Sequence, residues 1–241
     1  KLRDFVHPCA QGGLPERECM IAALSAQLDF EHAALLGLDY AMISADYAKF
    51  FDSFDPDFFH QLRLKIGVAP RRSRLTWHLN KHVQRRFKIR GHYGTPFVST
   101  RGAGQGDTWS LIDALFITSI QMYHLSHAHE QLKNGSVIDD RNFRGPTEVV
   151  LNAAKDAVQF DLLAGLRNNF DKYVAVGNSS ASRKKLAACK LGEGFLKVRC
   201  DCNLLGVLIS ARKAPRRWLQ NERVQRAISV ANVTARMPVS N

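Results

Sequence analysis

Two groups of aspartates, far apart in the chain, constrain its fold more than any other feature. Asp46 closes an apolar run that predicts a buried strand, formed by Leu38, Tyr40, Met42 and Ile43. Asp139 and Asp140 lie much later, at a predicted turn between two short strands. Carboxylates brought together raise one another's pKa unless a cation lies between them. Two divalent ions about 4 Å apart would neutralise such a cluster and support an in-line phosphoryl displacement. The spacing is compatible with a fold that joins the two segments around a pair of Mg²⁺ or Mn²⁺ ions, and the segments between them decide whether it is one.

The charge of the chain is divided into blocks. Its 241 residues carry a formal net charge of +12. Residues 1–60 hold 4 Lys/Arg and 10 Asp/Glu, whereas residues 61–101 hold 11 Lys/Arg and no acid. Basic blocks beside acidic blocks that carry metal ligands are typical of proteins that do chemistry on a polyphosphate. The alternative is a basic protein whose charges are solvated at its surface.

The cysteines and the apolar stretches indicate where such a chain works. Its five cysteines are odd in number and scattered, which favours reduced thiols in an intracellular protein, nuclear or cytoplasmic. No apolar stretch approaches the roughly 18 residues of a membrane span, so we expect no membrane partner. The chain runs from Lys1 to Asn241 without a capped end, and we expect further domains in a longer parent protein.

The pattern of elements predicts an α+β fold, an antiparallel sheet with helices on one face. Helices are predicted over 16–36, 56–66, 70–82, 108–130 and 147–163. A hairpin with a glycine-bounded loop is predicted over 87–100, and further strands over 173–176, 195–198 and 204–209. The basic sequence from Ala211 predicts a last helix over 215–231. This order of elements serves nucleic-acid work in several unrelated families.

Three segments, in this order and spacing, resemble the palm of a reverse transcriptase, most of all those of non-LTR retrotransposons and group II introns. In that family motif A is an Asp, then an aromatic five residues later, then often a second Asp, and here it is Asp46, Phe51 and Asp52. Motif B, RGxxQGxxxS, is present as Arg101, Gly102, Gln105, Gly106 and Ser110. Motif C, an aromatic, one residue and two aspartates, is present as Val137, Ile138, Asp139 and Asp140, with valine in place of the aromatic.

Weaker similarities extend the resemblance over roughly residues 10 to 210. Residues 165–172 resemble a turn with glycine and asparagine that precedes a lysine, here Lys172. Residues 204–206 resemble a leucine–glycine hairpin, and residues 11–17 resemble the QxGFxPxR pattern of the fingers, one residue short. The resemblance implies a polymerase palm with partial fingers over 1–210, with a fingers-like insertion at about 60–101. Residues 211–241 would begin a thumb.

The resemblance also implies an activity, namely an RNA-templated DNA polymerase that adds dNTPs to a primer 3′-hydroxyl by two-metal-ion nucleotidyl transfer. Asp46 and Asp139 would hold the two ions, Asp140 would support them, and Lys172 would protonate the pyrophosphate. Nucleotide contacts are expected from Tyr47, Phe51, Gln105 and Gly106, with Phe51 under the sugar, where it excludes a ribose. Contacts to the RNA template and the DNA primer are expected from Arg101, Gly102, Arg71, Arg72, Arg85, Arg86, Lys88 and Arg90. The same cationic track includes Arg63, Lys65, Arg74 and Lys81.

Other interpretations share some of these features. A decayed palm that binds nucleic acid without catalysis would keep the cationic track, and Val137 is consistent with one. An RNA-dependent RNA polymerase would share the metal site, but its motif A usually has a polar residue where Phe51 stands, and its motif B lacks the RGxxQG form. A cyclase-like palm gives no reason for the cationic track. Phe51 is alternatively a core aromatic, since Phe50 and Phe51 alternate across a strand end, and Lys172 is alternatively a surface lysine.

Overall fold

The computed structural model of the chain describes residues 2–104, 107–192 and 194–211. Its helices are α1 (Leu2–Phe5), α2 (Cys19–Leu35), α3 (Pro56–Lys65), α4 (Pro70–His82), α5 (Thr108–Ala128), α6 (Thr147–Leu163) and α7 (Ser180–Ala188). Its longer strands are β2 (Ala41–Ala45), β7 (Lys133–Val137), β8 (Asp140–Gly145), β9 (Val174–Gly177), β12 (Lys197–Arg199), β13 (Asp201–Leu204) and β14 (Val207–Ser210). Two-residue strands are β1 (Ala10–Gln11), β3 (Gln84–Arg85), β4 (Lys88–Ile89), β5 (His92–Tyr93), β6 (Phe97–Val98), β10 (Lys190–Leu191) and β11 (Gly194–Phe195).

Several helices begin or end at residues that favour helix termini. Asp55 accepts hydrogen bonds through Oδ1 from the backbone N–H groups of Asp57 and Phe58, and Pro56 occupies the first turn of α3. Beyond the end of α2, Gly37 has φ 65°, the left-handed conformation that closes a helix. The bounds of α4 and α6 are those that the sequence predicts.

A six-stranded sheet in the order β1-β7-β8-β2-β9-β12 forms the centre of the molecule. The inner strands β7, β8, β2 and β9 pair antiparallel with one another, whereas β1 pairs in parallel with β7 and β12 pairs in parallel with β9 at the edges. Because β2 and β8 are antiparallel, the carboxyl end of β2 lies beside the start of β8, with Ala45 opposite Arg141. The predicted α+β fold is confirmed, and this pairing joins the two aspartate segments.

Helices lie on both faces of the sheet, where the sequence predicted one. On one face Ala41 and Ile43 pack in a cluster with α6. On the other face Tyr40 and Met42 pack with Phe30 of α2 and with the hairpin β13–β14. The cause lies in β2 itself, whose apolar residues are consecutive rather than alternating, so both of its sides are buried.

The segment between β2 and α5 forms a helical hairpin and a small ribbon. Helices α3 and α4 pack together, and the ribbon pairs β3 with β6 and β4 with β5. The single hairpin predicted over 87–100 is therefore the inner part of a longer one that begins at Gln84. Its aromatic side chains at Phe87 and Tyr93 are 68% and 64% exposed.

Helix α7 was missed by sequence analysis because its apolar pattern is weak. It has nine residues, is rich in lysine and arginine, and buries only Ser182 and Leu186. The predicted helix over 215–231 lies outside the described residues. Within the described ranges, no helix is both long and apolar enough to cross a membrane.

Candidate active site

Asp46 lies where β2 leaves the sheet. Its backbone carbonyl accepts a hydrogen bond from Asn169 N–H at 2.9 Å, and Ala48 N–H donates to Arg167 O at 2.7 Å. The loop after β2 is thereby fixed to residues 167–169, in the turn that precedes Lys172. The main chain holds two of the three predicted site segments together.

The third segment is the tight turn between β7 and β8. Val137 pairs with Asp140, so Ile138 and Asp139 alone form the turn. Ile138 has φ 57°, a conformation that a β-branched residue rarely adopts, and strained turns of this kind cluster at functional sites. Val137, which replaces the aromatic of motif C, is buried, and its Cγ1 lies 3.3 Å from where a Cβ on Gly12 would be.

The predicted catalytic residues share one electrostatic environment. Lys172 lies in a 3₁₀ turn (Phe170–Lys172), and its Nζ is 2.6 Å from Asp46 Oδ2. This hydrogen bond and the Asp46 charge raise the pKa of Lys172, with smaller contributions from Asp140 and Asp139. Partial burial, then the charges of Asp139 and Asp46, raise the pKa of Asp140, and Lys172 opposes that shift. The charges of Asp46 and Asp139 therefore act on both Asp140 and Lys172.

The donor set at this place fits hard divalent cations, because it consists of carboxylate oxygens that repel one another. The ammonium group of Lys172 balances part of that charge. Within the described part of the chain, no group of three His, Cys, Asp or Glu side chains is arranged to hold a metal ion. The two-ion site stays a prediction that rests on the chemistry of the donors.

The residues predicted to contact a nucleotide differ in exposure. Phe50 is buried and Phe51 half-buried within an aromatic cluster with Phe54, at a 3₁₀ turn (Phe51–Ser53) rather than across a strand end as expected. Tyr47 is 4% exposed and points below the site, so a nucleotide contact by this residue would use its backbone. Gln105 and Gly106 lie outside the described residues.

The start of motif B docks against the loop after motif A. Gly102 N–H donates to Phe54 O at 2.7 Å, and Ala103 N–H donates to Phe51 O at 2.9 Å. Gly102 has φ 107°, and a Cβ there would lie 3.4 Å from Asp52 Cα, so glycine permits this close approach. Arg101 is 43% exposed, its Nη2 is 3.5 Å from Asp55 Oδ2, and its Nη1 donates to Gly165 O. The start of motif B therefore lies against the loop that follows motif A.

Only some side chains of the cationic track are exposed at the surface. Arg71, Arg72, Arg86, Lys88 and Arg90 are exposed, and Arg85 is half-buried. Arg63 is fully buried and forms two hydrogen bonds to Asp113, Nε to Oδ1 at 2.8 Å and Nη2 to Oδ2 at 2.7 Å. Its predicted place in the track was wrong, because α3 packs against α5 and needs Arg63 to neutralise Asp113. Lys81 is also paired, with the exposed carboxylate of Asp57.

Sequence analysis missed a buried polar network directly below the carboxylates. Arg141, which follows Asp140, donates from Nη1 to Gln121 Oε1 at 2.7 Å and to Asp161 Oδ2 at 2.9 Å, and from Nη2 to Asn168 Oδ1 at 3.0 Å. Its Cζ lies 3.7 Å from the centre of the Tyr47 ring. Tyr47 OH donates to Asp161 Oδ1, and Tyr173 OH donates to Asn168 Oδ1. We call these six residues the Arg141 network: Arg141, Tyr47, Gln121, Asp161, Asn168 and Tyr173.

Burial fixes the protonation states in the Arg141 network. It raises the pKa of Tyr47 well above the ordinary value and that of Tyr173 to about 12, so both phenols are neutral donors. Burial alone would lower the pKa of Arg141, but its buried partners, the Asp161 carboxylate at 2.9 Å among them, outweigh that effect and raise the pKa. A sequence signal existed, because Arg141 lies two positions before buried Phe143 and so shares its face of the sheet.

The fold is palm-like, an α+β sheet backed by helices, and it is similar to solved telomerase structures. Apo telomerase from Candida tropicalis, truncated from its C-terminal domain, matches with a TM-score of 0.55 and 17% identity, over 78% of this chain and 38% of that one. Telomerase from Candida albicans, in complex with a TWJ fragment of telomeric RNA, matches with a TM-score of 0.57 and 11% identity, over 78% of this chain and 33% of that one. The chain thus spans well under half of either telomerase. At these identities the likeness shows the fold alone.

Comparisons of sequence add no family. No protein-family model matches the chain, and no curated protein matches it. The likeness to telomerase is therefore one of fold, while membership of the reverse-transcriptase family and its non-LTR or group II subtype stay predictions from the motifs.

Proposed function

We propose that this chain is the fingers and palm of an RNA-templated DNA polymerase, which adds dNTPs to a primer 3′-hydroxyl by two-metal-ion nucleotidyl transfer. One observation carries the proposal: the pairing of β2 with β8 brings Asp46 beside the turn that holds Asp139 and Asp140, and Lys172 from a third segment lies with its Nζ 2.6 Å from Asp46 Oδ2. A surface charge pair would need only two of these groups. The exposed cations beside the site suit an RNA template and a DNA primer, and the motifs favour a retroelement origin.

Asp46 and Asp139 would hold two Mg²⁺ or Mn²⁺ ions, with Asp140 as a supporting carboxylate. Such ions lower the pKa of a primer hydroxyl and stabilise a departing pyrophosphate. Lys172, whose side chain is 65% exposed, would have to give up its ion pair with Asp46 for a cation to be held there. Lys172 released in this way can donate its Nζ proton to the pyrophosphate. Phe51, half-buried at the edge of its aromatic cluster, would exclude a ribose and favour dNTPs.

The test is extension of a labelled DNA primer on an RNA template by the 241-residue chain, with Mg²⁺ or Mn²⁺ and dNTPs. Asp139→Ala should abolish incorporation and leave salt-sensitive binding of the primed template, because binding depends on the cationic track. The matched control is Asp156→Ala, which removes a 49% exposed carboxylate that pairs with His129 on the far side of α6. It should leave incorporation unchanged. Incorporation that survives Asp139→Ala would contradict the proposal.

A second function is favoured by one observation. Lys172 already neutralises Asp46, and a palm held in that state would bind nucleic acid without catalysis. This reading predicts salt-sensitive binding of primed template by the wild-type chain and no incorporation with either metal ion.

A further inference from the structure

We propose that Arg141 is a positioning residue, which sets the places of the three segments that carry the site through its buried bonds to Asp161 and Asn168. The inference deepens the proposed polymerase function and rests on it. The hydrogen bonds of Arg141 go to Gln121, Asp161, Asn168 and Tyr173 rather than to the carboxylates of the site. It acts through the residues of the Arg141 network.

Each segment of the site carries a member of the network next to a predicted catalytic residue. Tyr47 follows Asp46 at the end of β2, and Arg141 follows Asp140 at the start of β8. Asn168 and Tyr173 flank Lys172 in the third segment. The guanidinium group of Arg141 contacts members from the other two segments, so a shift of either segment disturbs a hydrogen bond or the cation–π contact of Arg141.

The network reaches the helices behind the sheet as well. Asp161 is fully buried on α6, and its Oδ1 accepts from Tyr47 OH at 2.9 Å and from Gln121 Nε2 of α5 at 2.8 Å. Arg141 completes the set with its own bonds to Asp161. The position of the turn that holds Asp139 is therefore fixed by contacts with two long helices rather than by the strained backbone of the turn itself.

Stability alone does not account for a charged group here. Ala45, Phe143 and Ala175 occupy the same face of the sheet and are apolar. Replacing a buried ion pair by apolar side chains is often neutral or stabilising, whereas a planar guanidinium group fixes geometry through several directed bonds. Because Asp161 takes the charge of Arg141, the arginine also leaves the neighbouring Asp140 unneutralised and available to a cation.

The test compares Arg141→Lys with Arg63→Lys in the 241-residue chain. Both changes keep a positive charge and remove a buried fork, but the hydrogen bonds of Arg63 go to Asp113 and Ser73 rather than to a segment that carries the carboxylates. For Arg141→Lys we expect kcat for single-nucleotide incorporation to fall about 10- to 100-fold per folded molecule, with KM for the dNTP unchanged, as for supporting residues around metal sites. For Arg63→Lys we expect both parameters to be unchanged well below its unfolding temperature.

A second measurement is independent of catalysis. Hydrogen exchange at the amides of Ala48 and Asn169, which bond to Arg167 O and Asp46 O, should be faster in Arg141→Lys and unchanged in Arg63→Lys. If Arg141→Lys does not fold, Asn168→Ala removes a half-buried member instead and should give the same pair of effects. Unchanged exchange at both amides, or an equal loss of kcat in the two lysine variants, would overturn the positioning role. A wild-type chain that incorporates nothing overturns the proposed function, while the exchange result still decides the role of Arg141.

Discussion

Two buried arginine–aspartate pairs lie in different regions of this molecule and do different work. Arg63 and Asp113 join α3 to α5 with two hydrogen bonds, and a third runs from Arg63 to Ser73 O. Arg141 and Asp161 lie below the carboxylates, and both share bonds with other buried side chains. The first is close to an isolated pair, whereas the second is the centre of a network.

The two pairs differ in whether apolar side chains can replace them. Burying two charges costs several kcal/mol, which their attraction and hydrogen bonds offset only when the geometry is good. Burial raises the pKa of Asp113 and Arg63 opposes that shift, so these two charges chiefly satisfy each other. In the Arg141 network, by contrast, the two charged side chains also form hydrogen bonds with neutral side chains. An apolar substitute therefore suits the first region and fails in the second.

The largest expected effect is in the Arg141 network. Arg141→Met and Asp161→Leu should each lower the free energy of unfolding by about 3–5 kcal/mol, because each leaves a buried charge unpaired. The double variant should remain destabilised by about 2–6 kcal/mol, since Tyr47 OH and Gln121 both lose partners at about 1–3 kcal/mol each. Denaturant unfolding of the three variants measures this. A double variant as stable as the wild type would show that the network is only an ion pair.

The pair between α3 and α5 should behave in the opposite way when both partners change. Arg63→Met alone should cost about 3–5 kcal/mol, because Asp113 is 1% exposed and loses its counter-charge. Arg63→Met with Asp113→Leu should recover most of that loss, and the same unfolding experiment tests it. A double variant that stays destabilised would mean that the third hydrogen bond, from Arg63 to Ser73 O, contributes substantially to the free energy of unfolding.

The same two regions show which features can be predicted from the sequence and which cannot. Local signals placed Asp46 at the end of a buried strand and Asp139 in a tight turn, and their family-like spacing brought the two segments together. The partners of buried charges were not accessible, because Asp113 is 50 positions from Arg63 and Asp161 is 20 from Arg141. A run of cations looks the same whether its members face water or another helix.

A partial signal was nonetheless present for Arg63. It lies four positions after Phe59, which places it on the buried face of α3, where a cation requires an acid. The pairing of Lys172 with Asp46 had no such signal, since a lone lysine after a turn fits the surface equally well. The sequence signals therefore predicted which residues lie at the site, whereas only the structure shows how their charges are paired.

A smaller effect is expected at Asp140, which adjoins Arg141 but is not neutralised by it. The folded pKa of Asp140 is raised, so stability that is present below the ordinary carboxyl pKa is lost as pH rises through the raised value. Asp140→Asn removes this titration and should stabilise the metal-free chain near pH 7 by less than about 1 kcal/mol, since solvent screens an exposed charge. The gain should shrink towards pH 4. Unfolding without divalent ions at several pH values tests this, and a gain that grows on acidification would contradict it.

The smallest effect is expected at the exposed pair of Lys81 and Asp57, the surface counterpart of the two buried pairs. The side chains are 40% and 63% exposed, Lys81 Nζ is 2.9 Å from Asp57 Oδ1, and Trp77 Nε1 donates to the same oxygen. The Trp77 and Lys81 hydrogen bonds lower the pKa of Asp57, so their contribution is present above the ordinary carboxyl pKa and is lost as pH falls through the folded value. Lys81→Ala should shift the unfolding midpoint slightly at neutral pH and low salt, and not at high salt, because salt screens exposed charges. A shift that persists at high salt would show that Lys81 acts mainly by packing on Trp77, 5.1 Å from its ring centre, rather than by charge.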